Sequence, residues 1–378
     1  MKKIRLGIIF GTRPEAIKLA PLILKIKNNK NFEVIVINSG QHSSMLNQVL
    51  KLFEIKPDFS LKVMRKNQNL SDLTSALFKK INNVVLQSSL DMIVVQGDTT
   101  SALVGAMVGF YNNIRVSHVE AGLRTFDLKN PFPEELNRKY ISSIATLHFP
   151  PTITAKENLI KESISPKNIH VTGNTVVDAL EIFKQKTANL QYINLLKSLH
   201  YDENKFNILL TCHRRESFTG GVKNICMAIK KIANKYKNTN IIFPVHLNPN
   251  VQAVVLTYLK NLDNIHLINP LDYKNLLLLM NKIDLIVTDS GGIQEEAPSF
   301  KVPVLVTRQY TERPEGIDAG VSKLIGNDTE SVFRNIEKLL TDPNVYKSML
   351  AKNNPYGDGR ATEKIMKCIL NYYAKKNT

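Results

Sequence analysis

Short runs of β-branched and aliphatic residues alternate with longer amphipathic stretches along almost the whole chain, and that alternation admits few architectures. Residues 4–10, 34–39, 92–96 and 116–119 read as strands. A second series, at 207–211, 241–245, 265–268, 285–288 and 302–306, follows a polar segment around 186–205. Ile93-Val94-Val95 is apolar at successive positions, which suits a strand buried on both faces. Such strands alternating with helices predict parallel sheets covered on both sides, in two doubly wound, Rossmann-like α/β domains. The 378 residues exceed the roughly 250–300 at which a single core stops growing, so two domains are expected. No sequence repeat links the two series. The boundary is expected near residues 171–174, giving domains 1–172 and 173–358. Residues 359–378 form a C-terminal helix set off by Gly357 and Gly359, expected to return to the first domain.

The net charge of +17 admits three kinds of anionic partner: nucleic acid, a membrane surface or an acidic small molecule. The lysines are spread over presumed helix surfaces, as at Lys25, Lys27, Lys30, Lys79, Lys80, Lys230 and Lys231. They form no tail or stripe, and no zinc-finger, helix-turn-helix or RNP pattern accompanies them, so no nucleic-acid partner is expected. No apolar run approaches the ~18 residues of a membrane span, so no membrane partner is expected either. The start leads straight into a short strand with Arg13, Glu15 and Lys18 close behind, unlike a signal peptide. Cys212, Cys226 and Cys368 lack CxxC spacing, which speaks against a disulfide framework and a cysteine zinc site. A cytoplasmic, soluble protein is the expectation.

Doubly wound domains hold ligands beyond the carboxyl ends of their strands, so the loops there carry the candidate chemistry. After the first strand, Gly11 makes a tight turn and Pro14 suits the first helical position. Arg13 and Lys18 then stand near a helix N-terminus, which favours anions, although Arg13 paired with a surface carboxylate is the plainer alternative. Neither GxGxxG nor GxxxxGK is present. Asp98 follows the next apolar strand, and before Thr99-Thr100-Ser101 it reads equally as a helix N-cap or a catalyst. Glu120 follows the strand after that. Glu134 sits in the first turn of a helix opened by Pro133, where a glutamate also complements the helix dipole. Three carboxylates converging from such positions suit acid/base work.

In the second series, His213 with Arg214 and Arg215 suits a phosphate, while Cys212 reads as a small buried residue. Cys212, His213 and His246 lack a recognised ligand spacing, so no metal is expected. Ser290-Gly291-Gly292 leads from a strand into a helix, where backbone N–H groups and the hydroxyl can hold a phosphate. Glu296, about a turn and a half further on, can accept both hydroxyls of a ribose, and Arg313 follows the next strand. These motifs point to a nucleotide.

In order along the chain, GTRPEAIKLAPL (11–22), GQH (40–42), QGDTTSA (96–102), HVEAGLRT (118–125) and PFPEELNR (131–138) resemble blocks of the non-hydrolysing bacterial UDP-N-acetylglucosamine 2-epimerases. VTGNTVVDAL (171–180), HRRES (213–217), TDSGGIQEEAPS (288–299), TERPE (311–315) and NPYGDGRA (354–361) continue the resemblance over nearly the whole chain. It implies a GT-B-type fold, two facing Rossmann-like domains with the active site in the cleft between them. It implies reversible conversion of UDP-N-acetylglucosamine to UDP-N-acetylmannosamine for surface polysaccharide precursors. The route is anti elimination of UDP to 2-acetamidoglucal followed by re-addition, without a cofactor, in a homodimer.

By the same resemblance, Asp98, Glu120, Glu134 and His213 are the catalytic positions. Arg13, Lys18, His213 and Ser290-Gly291-Gly292 face the pyrophosphate, Glu296 the ribose, and Arg313 a neighbouring part of the UDP-sugar. Leu271 and Leu276 fall in the uracil-contacting stretch 270–276, with Leu276 where an aromatic is frequent. Many bacterial members bind a second substrate molecule as activator, which marks Gln41 and His42 as allosteric candidates. Ser44 stands where a second glutamine is common. Two alternatives share the fold: an epimerase for a modified sugar of the UDP-diacetamido-uronic acid type, and a retaining glycosyltransferase. The intact GTRPEAIK and HVEAGLRT blocks argue against the first, and the carboxylate cluster against the second.

Overall fold

In a computed structural model, residues 3–40, 44–65, 67–187, 192–212, 220–350 and 353–375 are described. The chain divides into two compact units, one of Met1–Gln185 with Tyr356–Thr378 and one of Lys186–Pro355. The division therefore falls later than the expected 172/173 and slightly earlier than 358/359. The reason is hydrogen bonding within the first unit. The Asp178 carboxylate accepts the Ala361 and Thr362 amides at 3.1 and 2.9 Å, and the Asn174 amide donates to the Tyr356 carbonyl at 2.7 Å. Both chain segments belong to one body.

The first unit alternates β1 (Ile4–Phe10), α1 (Arg13–Lys27), β2 (Phe32–Asn38), α2 (Ser44–Leu52), β3 (Phe59–Ser60), α3 (Leu70–Ser88), β4 (Met92–Gln96) and α4 (Thr100–Tyr111). It continues through β5 (Arg115–Val119), α5 (Glu134–Ile144), β6 (Leu147–Phe149), α6 (Ile153–Lys161) and α7 (Thr175–Thr187). The sheet order is β3-β2-β1-β4-β5-β6 and every pairing is parallel. All five residues of β4 are buried, as a central strand covered on both faces requires. Ile9, Ile37, Leu77, Ile81, Ile93, Val95 and Val104 form the core on one side of this sheet.

The second unit begins with α8 (Ile193–Ser198), β7 (Phe206–Thr211), α9 (Gly221–Lys235), β8 (Thr239–Pro244), α10 (Pro249–Leu259), β9 (Ile265–Ile268) and α11 (Tyr273–Met280). Next come β10 (Leu285–Thr288), α12 (Gly291–Glu296), β11 (Val304–Val306), α13 (Pro314–Asp318), β12 (Ser322–Leu324), α14 (Thr329–Thr341) and α15 (Pro343–Ser348). Its parallel sheet runs β12-β11-β10-β7-β8-β9. Read from β9, that order repeats the first sheet's. In both, the winding reverses between the first and fourth strands, the place where open α/β sheets bind ligands.

Among the described residues, three strands have no counterpart in the sequence reading: β3, β6 and β12. Each lies at a sheet edge and has two or three residues, too short for a period-2 pattern to register. The last helix, α16 (Ala361–Ala374), buries Ile365, Met366 and Ile369. It packs on α1, with Lys25 and Glu363 paired at 2.8 Å. Tyr372 Oη accepts from Arg115 Nε at 3.0 Å, and Tyr373 Oη donates to the Asp91 carbonyl at 2.8 Å. No helix among the described residues is long and apolar enough to cross a membrane.

Candidate active site

The first unit gathers its charged residues where β1, β4 and β5 end. Thr12-x-x-Glu15 is a capping-box pattern, and Glu15 Oε2 accepts the Gly11 and Thr12 amides at 3.0 and 2.8 Å. It also accepts the Thr12 hydroxyl at 2.7 Å, while Oε1 accepts the Thr99 hydroxyl at 2.7 Å. Glu15 thus ties the loop after β1 to the loop after β4. It is 1% exposed, and burial raises its pKa despite the four donors. One turn on, Lys18 forms an ion pair with Glu120 in which both side chains are almost fully buried. Asn174 Nδ2 donates to the same Glu120 oxygen at 3.3 Å. Glu120 itself has φ 63°, a left-handed conformation uncommon for a residue with a side chain. Its amide is held by the Phe149 carbonyl at 3.0 Å. Gly122 makes the next turn at φ 87°, where an added Cβ would come within 2.1 Å of the Ala155 carbonyl oxygen.

Asp98 is held differently. The N-cap of α4 is Thr99, whose hydroxyl accepts the Ala102 amide at 3.0 Å. The capping role that the sequence allows Asp98 is therefore taken, and its carboxylate turns to α5. Arg138 donates to Asp98 Oδ2 from Nε at 2.9 Å and lies with Nη2 2.7 Å from the same oxygen. Arg138 Nη1 pairs with buried Glu135 at 2.9 Å, and Glu135 accepts the Thr125 and Phe126 amides at 3.1 and 3.0 Å. Burial works against the Arg138 cation, but Asp98 and Glu135 outweigh it and raise its pKa. Underneath, His118 Nε2 donates to the Gly97 carbonyl at 2.7 Å, since a carbonyl can only accept. Burial lowers the His118 pKa to about 3, so the imidazole is neutral.

Glu134 opens α5, with Pro133 at the cap position rather than inside the helix. Its helix thus reaches Asp98 through Arg138, and Asp98 and Glu120 follow adjacent, paired strands. Arg13 turns Nη1 toward the Met45 sulfur at 3.7 Å and makes no ion pair with a carboxylate among the described residues. Gln41 and His42 lie outside the described residues, as does His213 with Arg214 and Arg215.

In the second unit, the ends of β7 and β10 are joined by the Thr211 and Thr288 hydroxyls, 2.6 Å apart. Thr288 Oγ1 accepts the Ser290 amide at 2.9 Å, which shapes the turn into Gly291-Gly292. Arg313 lies directly over Gly291: a Cβ there would meet Nη1 at 2.6 Å. The same guanidinium pairs with Glu295 at 2.7 Å and Glu312 at 2.7 Å, and Glu312 also pairs with Arg308 at 2.8 Å. Glu296 Oε1 accepts the Tyr273 hydroxyl at 3.0 Å, with both residues buried. Leu271 and Leu276 flank Tyr273 in and just before α11, each half-buried. Cys212 is buried within the apolar core.

The sequence reading missed Glu15, Asn137, Arg138, Asn174 and Tyr273. The capping box announces that Glu15 bonds locally, and Glu135/Arg138 spacing of three announces an ion pair on α5. Their burial and their link to Asp98 have no signal in one sequence. Lys18, expected to face the pyrophosphate, and Arg313, expected to face a neighbouring part of the UDP-sugar, are each engaged by carboxylates of their own unit.

A family model described as UDP-N-acetylglucosamine 2-epimerase matches residues 24–370. A UDP-N-acetylglucosamine 2-epimerase of Campylobacter jejuni is 48% identical over 371 residues, 96% of each chain. The crystal structure of UDP-GlcNAc 2-epimerase from Neisseria meningitidis bound to UDP-GlcNAc is 41% identical, with a TM-score of 0.91 over 97% of this chain and 100% of that one. That of the Methanocaldococcus jannaschii enzyme in complex with UDP-GlcNAc and UDP is 34% identical, with a TM-score of 0.83 over 98% and 100%.

Proposed function

The chain belongs to the UDP-N-acetylglucosamine 2-epimerase family, and from that premise we propose that it interconverts UDP-N-acetylglucosamine and UDP-N-acetylmannosamine without hydrolysing them. The family match across nearly the whole chain carries this reading. The ring gives the C2 proton no adjacent carbonyl, so direct abstraction is slow. Elimination avoids the difficulty. A carboxylate takes the proton from C2, the C2–H electrons become the C1=C2 bond, and the C1–O electrons leave with UDP. For the return, UDP oxygen attacks C1 and the double-bond electrons take a proton at C2 on the other face. Two faces require at least two proton-handling groups, for which Asp98, Glu120 and Glu134 are the candidates.

The nucleotide falls to the second unit in this reading. Ser290, Gly291 and Gly292 offer amides and a hydroxyl to the pyrophosphate, together with His213 outside the described residues, and Arg313, beside Gly291, faces a neighbouring part of the UDP-sugar. Glu296 takes the ribose hydroxyls and the stretch holding Leu271 and Leu276 takes the base. Arg13 and Lys18 supply positive charge from the first unit as UDP departs. Gln41 and His42 are the positions proposed for an activating second substrate molecule. The product suits surface polysaccharide synthesis, and a nucleotide-sugar substrate places the reaction in the cytoplasm.

Purified protein given only UDP-N-acetylglucosamine, with no added NAD or metal, should yield both epimers. In deuterated water, NMR should find one deuterium at C2 of the product; product free of deuterium would rule out exchange with solvent and the elimination route with it. A homodimer accompanies this reading. The α3/α4 face supports it, exposing Leu86, Phe110 and Tyr111 beside Phe78, whose ring is 5.6 Å from that of Tyr111. A monomeric mass by light scattering would count against it.

A further inference from the structure

Asp98 is constrained from several directions. Its main-chain carbonyl accepts Asn137 Nδ2 at 2.8 Å, one residue from Arg138 on the same helix. Its Oδ2 takes both contacts of Arg138, at 2.9 and 2.7 Å. Its neighbour Gly97 sits at φ 70° with its carbonyl held by His118, and its other neighbour Thr99 is held by Glu15. The grip on the carboxylate is one-sided. Among the described residues Oδ1 has no hydrogen-bond partner, and the side chain is 25% exposed while that of Arg138 is 8% exposed. Here one oxygen is saturated and its twin is left open.

We infer that Arg138 and Asn137 are positioning residues for Asp98, fixing the plane of its carboxylate so that Oδ1 is the oxygen that exchanges the C2 proton. Glu135 completes the arrangement from behind. It holds Arg138 Nη1 and, through the Thr125 and Phe126 amides, anchors the helix to the loop after β5. The Asp98 carboxylate and the loop that follows Glu120 are therefore braced by one guanidinium–carboxylate pair. Displacement of a catalytic group by about 1 Å can cost on the order of 10²-fold in rate, and a two-point contact from a planar cation prevents it.

The inference rests on the epimerase reading, and the test separates the two. Wild-type protein is first assayed for both epimers and for deuterium at C2; failure there defeats the function and, with it, proton exchange at Asp98. With wild type active, Arg138→Lys keeps the cation but cannot hold Oδ2 twice while reaching Glu135. Its kcat should fall about 10²-fold with KM within about twofold. Asn137→Ala, which leaves every charge in place, should lower kcat about tenfold and serves where Arg138→Lys does not fold. Combined with Asp98→Asn, either change should cost nothing further, because the group it positions no longer exchanges a proton. A kcat within about threefold of wild type in the folded single variants would overturn the assignment. So would a loss seen in KM alone, or one that multiplies with that of Asp98→Asn.

Discussion

The two units wind their sheets in the same order, yet their switch points carry opposite chemistry. Where β1, β4 and β5 end, the first unit presents carboxylates held by cations: Glu120 by Lys18, and Asp98 by Arg138. At β7 and β10 the second presents hydroxyls, glycine amides and a cation held by carboxylates, with Thr211, Thr288, Ser290 and Gly291 beside Arg313. The backbone architecture supplies only the location, a set of strand ends facing one way. What happens there follows from which side chains the loops carry, as expected when one fold hosts many functions. The proposed function accordingly gives proton handling to one body and nucleotide holding to the other.

The widest separation between the units should appear in kinetics. Asp98→Asn or Glu120→Gln should lower kcat by about 10²–10⁴-fold with modest change in KM, as removal of a general acid or base does. Glu296→Gln in the second unit should instead raise KM about tenfold and spare most of kcat, since a charge-assisted hydrogen bond contributes about 1.5–3 kcal/mol. Steady-state rates for the three variants check both halves. A Glu296→Gln enzyme crippled in kcat, or carboxylate variants altered only in KM, would collapse the division of labour.

A smaller effect concerns stability in acid. Burial lowers the pKa of His118 to about 3 and of His148 to about 4, both in the first unit. Unfolded, each takes up a proton near pH 6.5. Below that pH the unfolded state binds more protons than the folded one, so stability falls as the pH is lowered. From pH 7 to 5 the loss is about 2 kcal/mol per histidine. Hydrogen exchange at the two pH values should show the first unit losing protection more than the second, and His118→Gln should flatten its dependence. Equal loss in both units would place the acid-sensitive groups elsewhere.

Much of this was legible in the residue order. The strand–helix alternation marks nine of the twelve strands among the described residues, because a buried parallel strand must be apolar at successive positions. The short edge strands escaped, since two or three residues carry no pattern. Asp98, Glu120, Ser290 and Glu296 stand out as candidates because doubly wound domains bind ligands beyond the ends of their strands. Their partners were not. Arg138 lies 40 residues from Asp98, Lys18 lies 102 from Glu120, and Tyr273 lies 23 from Glu296.

The sequence by itself determined the class of fold, the loops that carry chemistry and the residue types available to a nucleotide sugar. It did so because periodicity, turn residues and caps are local, written within a few positions of where they act. Tertiary structure alone decided that Thr99 rather than Asp98 caps α4, that Glu15 joins two loops, and that a guanidinium saturates one Asp98 oxygen and leaves the other open. Burial and ion pairing depend on which distant segments the sheet brings side by side, and a strand end does not announce its neighbour.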